Sequence, residues 1–325
     1  MSRTVLACLV ALVLTGCSTG VAGSPAGEQR ASGPLTAENA FGDLRRIDPC
    51  SLTGPFAFEE HGEARMPAKV TMDECLVTVD VDGDEVVVEL GLLQHVDALP
   101  SGREEVAALD GNASIVRVPT QVTSNCVMAL VFADDVAVST TAEPELVDTV
   151  PKETLCALAR AGAEGIAEAA RTNLVRHWEP PTNSLARVSA CGLLPPDQVA
   201  NLLGIEPERV NLYPSEHQCR WGVPGGSTPT AKLDFEVGAD PGKVGVAHRT
   251  PAEDIAGRGT WLVPTDTSNI TVCTVVTEHI PFALQEGERE YAVIRVAAPT
   301  TTGADACGIG RELATVAWTK LPAAG

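Results

Sequence analysis

The sequence predicts an α+β fold made of two duplicated, disulfide-stapled domains, each an antiparallel sheet with a short N-terminal helix and a C-terminal helix. Three observations predict it. Beyond residue 17, eight cysteines form two quartets, Cys50, Cys75, Cys126, Cys156 and Cys191, Cys219, Cys273, Cys307, with successive spacings of 25, 51 and 30 residues and then 28, 54 and 34. Unrelated cysteines would rarely agree this closely at every step, so the pattern reads as an internal duplication. Between the cysteines lie alternating apolar runs of β type, and the last cysteine of each quartet stands near the start of a helical stretch. A length of 325 residues fits two domains.

The N-terminus is read before the fold. Arg3 precedes an apolar run from Val5 to Leu14 that is too short to cross a bilayer permanently, so residues 1–16 read as a signal peptide. Leu14-Thr15-Gly16-Cys17 follows and resembles the lipobox of bacterial lipoproteins, which implies that Cys17 accepts a diacylglyceryl group before cleavage. Each acyl chain contributes about 0.8 kcal/mol per buried methylene, and two or three chains anchor stably where one does not. The expected location is the extracytoplasmic face of the cell membrane, with Cys17 lipid-anchored there. Residues 17–44, built largely from Ser, Gly, Ala, Thr and Pro, read as a tether. No later segment approaches 18 uninterrupted apolar residues, so no transmembrane helix is expected.

The two four-cysteine domains are expected at 45–178 and 186–323. In the first, Asp48-Pro49-Cys50 opens a short helix or turn. Strands are expected at Leu76 to Val79, Glu85 to Leu90, Cys126 to Phe132 and Val136 to Thr140, and a helix from Lys152 to Arg171. In the second, Ser189-Ala190-Cys191 takes the opening position. Strands follow near Cys219, at Lys232 to Val237, around Cys273 and at Tyr291 to Ala297, with a helix from Asp305 to Thr319. Asp82-Gly83 between two alternating runs marks a hairpin, because glycine accepts the positive φ of such a turn. Between the domains, residues 179–185 contain Pro180-Pro181, which stops a helix and leaves an extended connection.

Four cysteines allow three pairings. The sequential pairing staples each terminal element to a central sheet, so the expected bridges are Cys50–Cys75, Cys126–Cys156, Cys191–Cys219 and Cys273–Cys307. Loops of this size contribute about 3–4 kcal/mol each in the loop-entropy account, which offsets a small core in a chain with 4% aromatics. Zinc is not expected, since no C-x-x-C spacing occurs.

The Asp48-Pro49-Cys50 box, and Cys191-Gly192-Leu193-Leu194-Pro195-Pro196 with Cys219-Arg220-Trp221 downstream, resemble a family of actinobacterial lipoproteins carrying a domain of unknown function with a D-P-C or C-x-L-L box. A more distant likeness is to the extracellular sensor domains of mycobacterial Ser/Thr kinases. The first half departs from the pattern in lacking the L-L-P-P continuation and the tryptophan, the second in lacking the Asp-Pro. The resemblance implies an architecture and a location outside the cytoplasm, and it implies no reaction.

Charge and motifs narrow the function. With 43 acidic against 23 basic residues the chain lacks the clustered cations that nucleic-acid phosphates require. There is no G-x-S-x-G elbow, no Walker loop and no H-E-x-x-H. The histidines, His61, His95, His177, His217, His248 and His279, are scattered, and each reads as structural. Asp80-Val81-Asp82-Gly83-Asp84-Glu85 lacks the glycine and glutamate positions of an EF-hand and reads as the hairpin. Trp178, Trp221, Trp261 and Trp318 read as packing residues rather than a sugar platform. The expected function is a surface-anchored, non-enzymatic envelope lipoprotein that binds a small ligand or a protein partner, with no cofactor and no metal. The alternative is an envelope hydrolase with a nonstandard carboxylate and histidine site, for which Glu59, Glu60 and His61, or Glu216 with His217, are the first candidates.

Overall fold

A computed structural model describes residues 33–65, 69–120, 122–146, 150–238 and 253–324. Cys17, residues 1–16 where a signal peptide is expected, and His248 lie outside the described residues. The first half contains β1 (Glu63–Arg65), β2 (Cys75–Val81), β3 (Asp84–His95), β4 (Glu104–Leu109), β5 (Ala113–Val118), β6 (Cys126–Val131) and β7 (Val136–Pro144), preceded by α1 (Ala37–Phe41) and closed by α2 (Lys152–Thr172). The second contains α3 (Ala190–Leu193), α4 (Pro196–Leu203), β8 (Val210–Leu212), β9 (Gln218–Trp221), β10 (Thr230–Gly238), β11 (Glu253–Ile255), β12 (Arg258–Asp266), β13 (Ile270–Pro281), β14 (Arg289–Pro299) and α5 (Ala306–Trp318).

Each half forms a seven-stranded antiparallel sheet. The strand orders are β1-β2-β3-β7-β6-β5-β4 and, read from its β8 edge, β8-β9-β10-β14-β13-β12-β11. Pairing the strands in chain order, β1 with β8 through β7 with β14, superimposes one order on the other. The α+β class and the duplicated layout are therefore both present in the topology. The strand pairs 104–118 and 253–266 complete the sheets, and neither was anticipated. In the β2–β3 hairpin, Val81 opposes Asp84, with Asp82 at φ 54° and Gly83 at φ 95°. Two positive φ values give the turn whose twist matches the flanking strands, and Asp80 Oδ1 accepts the Gly83 N–H at 2.9 Å.

One face of each sheet is covered by its closing helix. Val77, Val79, Val86, Val88, Leu90, Met128, Leu130 and Val138 meet Leu155, Leu158, Ala159, Ala163 and Ile166 of α2 in one core. Leu233, Phe235, Val275, Ile294 and Val296 meet Leu313, Ala314 and Trp318 of α5 in the other. Small residues bring the helices close: a Cβ on Gly162 would stand 2.7 Å from Thr140 Cγ2, and one on Gly310 2.7 Å from Val275 Cγ2. Four disulfides carry the expected pairing, with Cys50–Cys75 and Cys191–Cys219 tying the opening turns to β2 and β9, and Cys126–Cys156 and Cys273–Cys307 tying β6 and β13 to the closing helices. Trp178, Trp221, Trp261 and Trp318 are all buried. Among the described residues no helix is long and apolar enough to cross a membrane.

The structure differs from the sequence reading at two boundaries. The tether was drawn to residue 44, yet folding begins near Leu35, whose N–H donates to Gly111 O at 2.7 Å. Thr36 caps α1, and Phe41 is buried edge-on against Phe132 at 5.2 Å. One turn of helix with a single aromatic is too short to show a period. The connection 179–185 was drawn as extended, but Ser184 donates its N–H back to Pro181 O at 3.0 Å, and Ser184 and Leu185 are fully buried. Beside it, Trp178 packs on Phe282 at 5.3 Å and belongs to the second core.

Residues 34–325 form one compact unit. The stretch 70–72 of the first half lies along β10 of the second: Val237 N–H donates to Val70 O at 2.9 Å and Met72 N–H to Phe235 O at 3.3 Å. It continues the edge that β9 occupies only as far as Asp234, and it delivers Met72 into the second core.

Candidate functional site

The seam where residues 70–72 lie along β10 holds a cleft of about 390 Å³, lined by Lys69, Val70, Thr71, Glu74 and Glu89 from the first half and by Lys232, Asp234, Glu236, Val237, Gly238, Glu288 and Arg295 from the second. That volume is at the lower end for small-molecule sites. Strand alternation explains the lining. On β10, Ala231, Leu233, Phe235 and Val237 enter the α5 core, so Lys232, Asp234 and Glu236 must project from the opposite face. On β3, Val86, Val88 and Leu90 enter the α2 core, which turns Glu89 the other way.

The cations of the lining are already engaged. Lys232 Nζ donates to Asp234 Oδ2 at 2.9 Å. Arg295 Nη1 donates to both Asp234 oxygens at 3.1 and 3.2 Å, and its Nη2 lies 2.5 Å from Glu236 Oε1. Lys69 pairs with Asp48 at 3.2 Å. Three carboxylates of the lining, Glu74, Glu89 and Glu288, enter no ion pair among the described residues. Glu74 Oε2 accepts the Thr71 hydroxyl at 3.1 Å. Glu288 is 8% exposed, and its Oε2 has no hydrogen-bond partner.

This crowding shifts the acids apart. Burial would raise Asp234, but the neighbouring Lys232 and Arg295 outweigh it and hold the carboxylate below its usual range. Burial, and then the Asp234 charge, push Glu236 up to about 8 against the pull of Arg295. Glu74 is raised to about 7, chiefly by burial, with Lys232 opposing and Glu89 and Asp73 adding. Burial and Glu143 raise Glu89. Burial would lower Lys232, but Asp234 and Glu74 hold its ammonium above its ordinary value.

A second polar cluster locks the seam. His217 Nδ1 lies 2.6 Å from Asp73 Oδ1, and Nε2 lies 3.2 Å from Ala186 O. Both partners are acceptors, so both contacts are hydrogen bonds only when each ring nitrogen carries hydrogen. Ser215 Oγ donates to Asp73 Oδ2 at 2.8 Å, and Gln218 Nε2 to the same oxygen at 3.2 Å. Nearby, Glu290 accepts from Ser184 Oγ–H and Leu185 N–H at 2.7 Å each, and burial raises it to about 7 against those bonds.

The pairs singled out in the sequence do not converge. Glu59 and Glu60 are exposed and His61 is half-buried. Glu216 is exposed, 3.6 Å from Arg45, while His217 beside it turns inward to Asp73. The sequence reading missed the whole lining of the cleft, Glu74, Glu89, Asp234, Glu236 and Glu288 among it, and Asp73 beside it. The only local signal was the polar alternation Lys232, Asp234, Glu236 inside an apolar strand. Among the described residues no group of three or more His, Cys, Asp or Glu is placed to hold a metal ion. No family model, no curated protein and no solved structure matches this chain.

Proposed function

We propose that this chain is a non-enzymatic lipoprotein of the cell envelope, anchored through Cys17 to the extracytoplasmic face of the membrane, which binds a small polar ligand in the seam between its two halves. The cleft supports the binding reading: it is lined from both halves, and one of its lining residues, Glu288, keeps a buried carboxylate oxygen with no partner. Such an oxygen is costly to leave unmade and gains most when a ligand donor reaches it. The anchoring reading rests on the signal peptide and on Leu14-Thr15-Gly16-Cys17.

Binding is tested by thermal shift of the mature protein against a panel of cationic, neutral and anionic polar compounds, with Glu89→Trp as the filled-cleft control. At least one compound raises the melting temperature of the wild type and fails to raise that of the variant. A panel without such a compound contradicts the reading. Anchoring is tested separately by labelled-palmitate incorporation, which Cys17→Ala abolishes; unlabelled wild type contradicts it.

A further inference from the structure

The cleft is lined by five acids, Glu74, Glu89, Asp234, Glu236 and Glu288, against three cations, Lys69, Lys232 and Arg295, and the arrangement of the pairs shows which acids the cations do not pair with. Arg295 is spent on Asp234 and Glu236, Lys232 on Asp234 and Lys69 on Asp48. An incoming anion would share each of these cations with a carboxylate already bonded to it. Around the same space stand Glu74, Glu89 and Glu288, which make no ion pair within 4 Å among the described residues, Lys232 acting on Glu74 and Glu89 only from farther off, and Glu288 is buried with one oxygen unbonded. A bare metal ion fits poorly, because the acids border a cleft of about 390 Å³ and no three of them, with His and Cys counted, come close enough to coordinate one among the described residues. What remains is a ligand large enough to span the cleft, carrying positive charge and hydrogen-bond donors.

We propose that the cleft selects a compact organic cation bearing primary ammonium groups, received by Glu288 with Glu89 and Glu74 along the opposite wall. This rests on the reading of the seam as a ligand site and goes beyond it by fixing the sign and type of the ligand. An ammonium group supplies three donors and no acceptor, which suits the carboxylate acceptors of Glu74, Glu89 and Glu288. Such hydrogen bonds to a charged, partly buried carboxylate are the stronger kind. The face of β10 that forms one wall suits this role: Asp234 accepts from both Lys232 and Arg295, which leaves less of their charge for the acids across the cleft.

The experiment is isothermal titration of the intact mature protein at pH 7.5 and low salt with spermidine, putrescine and glucosamine, set against glucose and glucuronate. At least one of the three amines binds, about tenfold or more tighter than glucose, and glucuronate does not bind. Glu288→Gln keeps the shape of the side chain and lowers amine affinity about tenfold, the loss of one charge-assisted hydrogen bond; circular dichroism of this variant checks that it is folded. Glu89→Gln is a second, independent variant with the same expected direction. Silence from all three amines overturns the proposal, as does binding of glucose or glucuronate that equals or exceeds that of the amines. Binding of a neutral or anionic compound that Glu89→Trp abolishes would overturn the cation assignment while leaving the seam a ligand site. A complete absence of cleft ligands would remove both.

Discussion

The imidazole of His217 and the carboxylate of Asp73 meet at 2.6 Å across 144 residues of chain, one from each half, and neither side chain is more than 3% exposed. Asp73 also accepts from Ser215 and Gln218, and removing one partner of such a buried network leaves the others unsatisfied at a cost of about 3–5 kcal/mol. Asp73→Ala therefore destabilises the protein by that amount, measured by chemical denaturation. Glu216→Gln, at the neighbouring but exposed position, shifts stability by less than about 0.5 kcal/mol. Equal effects at the two sites would show that the seam does not depend on this contact.

Stability falls as pH rises from about 5 to about 8. Glu74 and Glu290 are raised to about 7 and Glu236 to about 8 from an ordinary value of 4.5. Above their unfolded values these groups hold more protons in the folded than in the unfolded chain, so the stability they confer is lost as pH rises through the folded values. Glu74 is faced by Lys232, Glu89 and Asp73, Glu236 by Asp234 and Arg295, and Glu290 by Ser184, the Leu185 amide and His217. His279 works the other way, because burial lowers it, with Arg258 and Arg289 adding and its bond to Asn183 opposing. One such group against four, Glu89 being raised as well, leaves the net sign unchanged. The melting temperature drops by on the order of 5 °C between pH 5 and pH 8, and Glu236→Gln reduces the drop. A flat or rising profile contradicts the assignment.

Helix contact with the sheet is set by glycine where space is shortest. Gly310→Val places a Cβ 2.7 Å from Val275 Cγ2 and destabilises by about 1–3 kcal/mol. Gly192→Ala meets nothing nearer than 3.6 Å and is neutral or stabilising by about 0.4–1 kcal/mol. Denaturation midpoints of the two variants separate the cases, and similar values would mean that α5 can move off the sheet at little cost.

Much of the architecture was legible because it is written locally. Cysteine spacing carried the duplication, Asp82-Gly83 the hairpin, and the alternation around Lys232 to Val237 a strand with one polar face. The site was not legible, and the reason is physical. Lys232 to Val237 reads only as a strand, and Thr71, Glu74 and Glu89, which complete the cleft across it, stand more than a hundred residues earlier. The same distance hid the partner of His217. Adjacent charges such as Glu216 and His217 drew notice by proximity in sequence, yet consecutive residues point in different directions, and one went to solvent while the other went to the seam. The segments 34–44 and 179–185 were misread because their burial comes from tertiary contacts of Phe41 and Leu185, which leave no period in so short a stretch.

The central claim, that the two halves share one binding cleft, is tested most directly by amide chemical-shift mapping of the isotopically labelled mature protein during titration with spermidine. Resonances of residues 69–74 and Glu89 in the first half and of 232–238, Glu288 and Arg295 in the second should move together along one saturating curve. Shifts confined to one half, shifts scattered over the outer surface, or no shifts at all would contradict it.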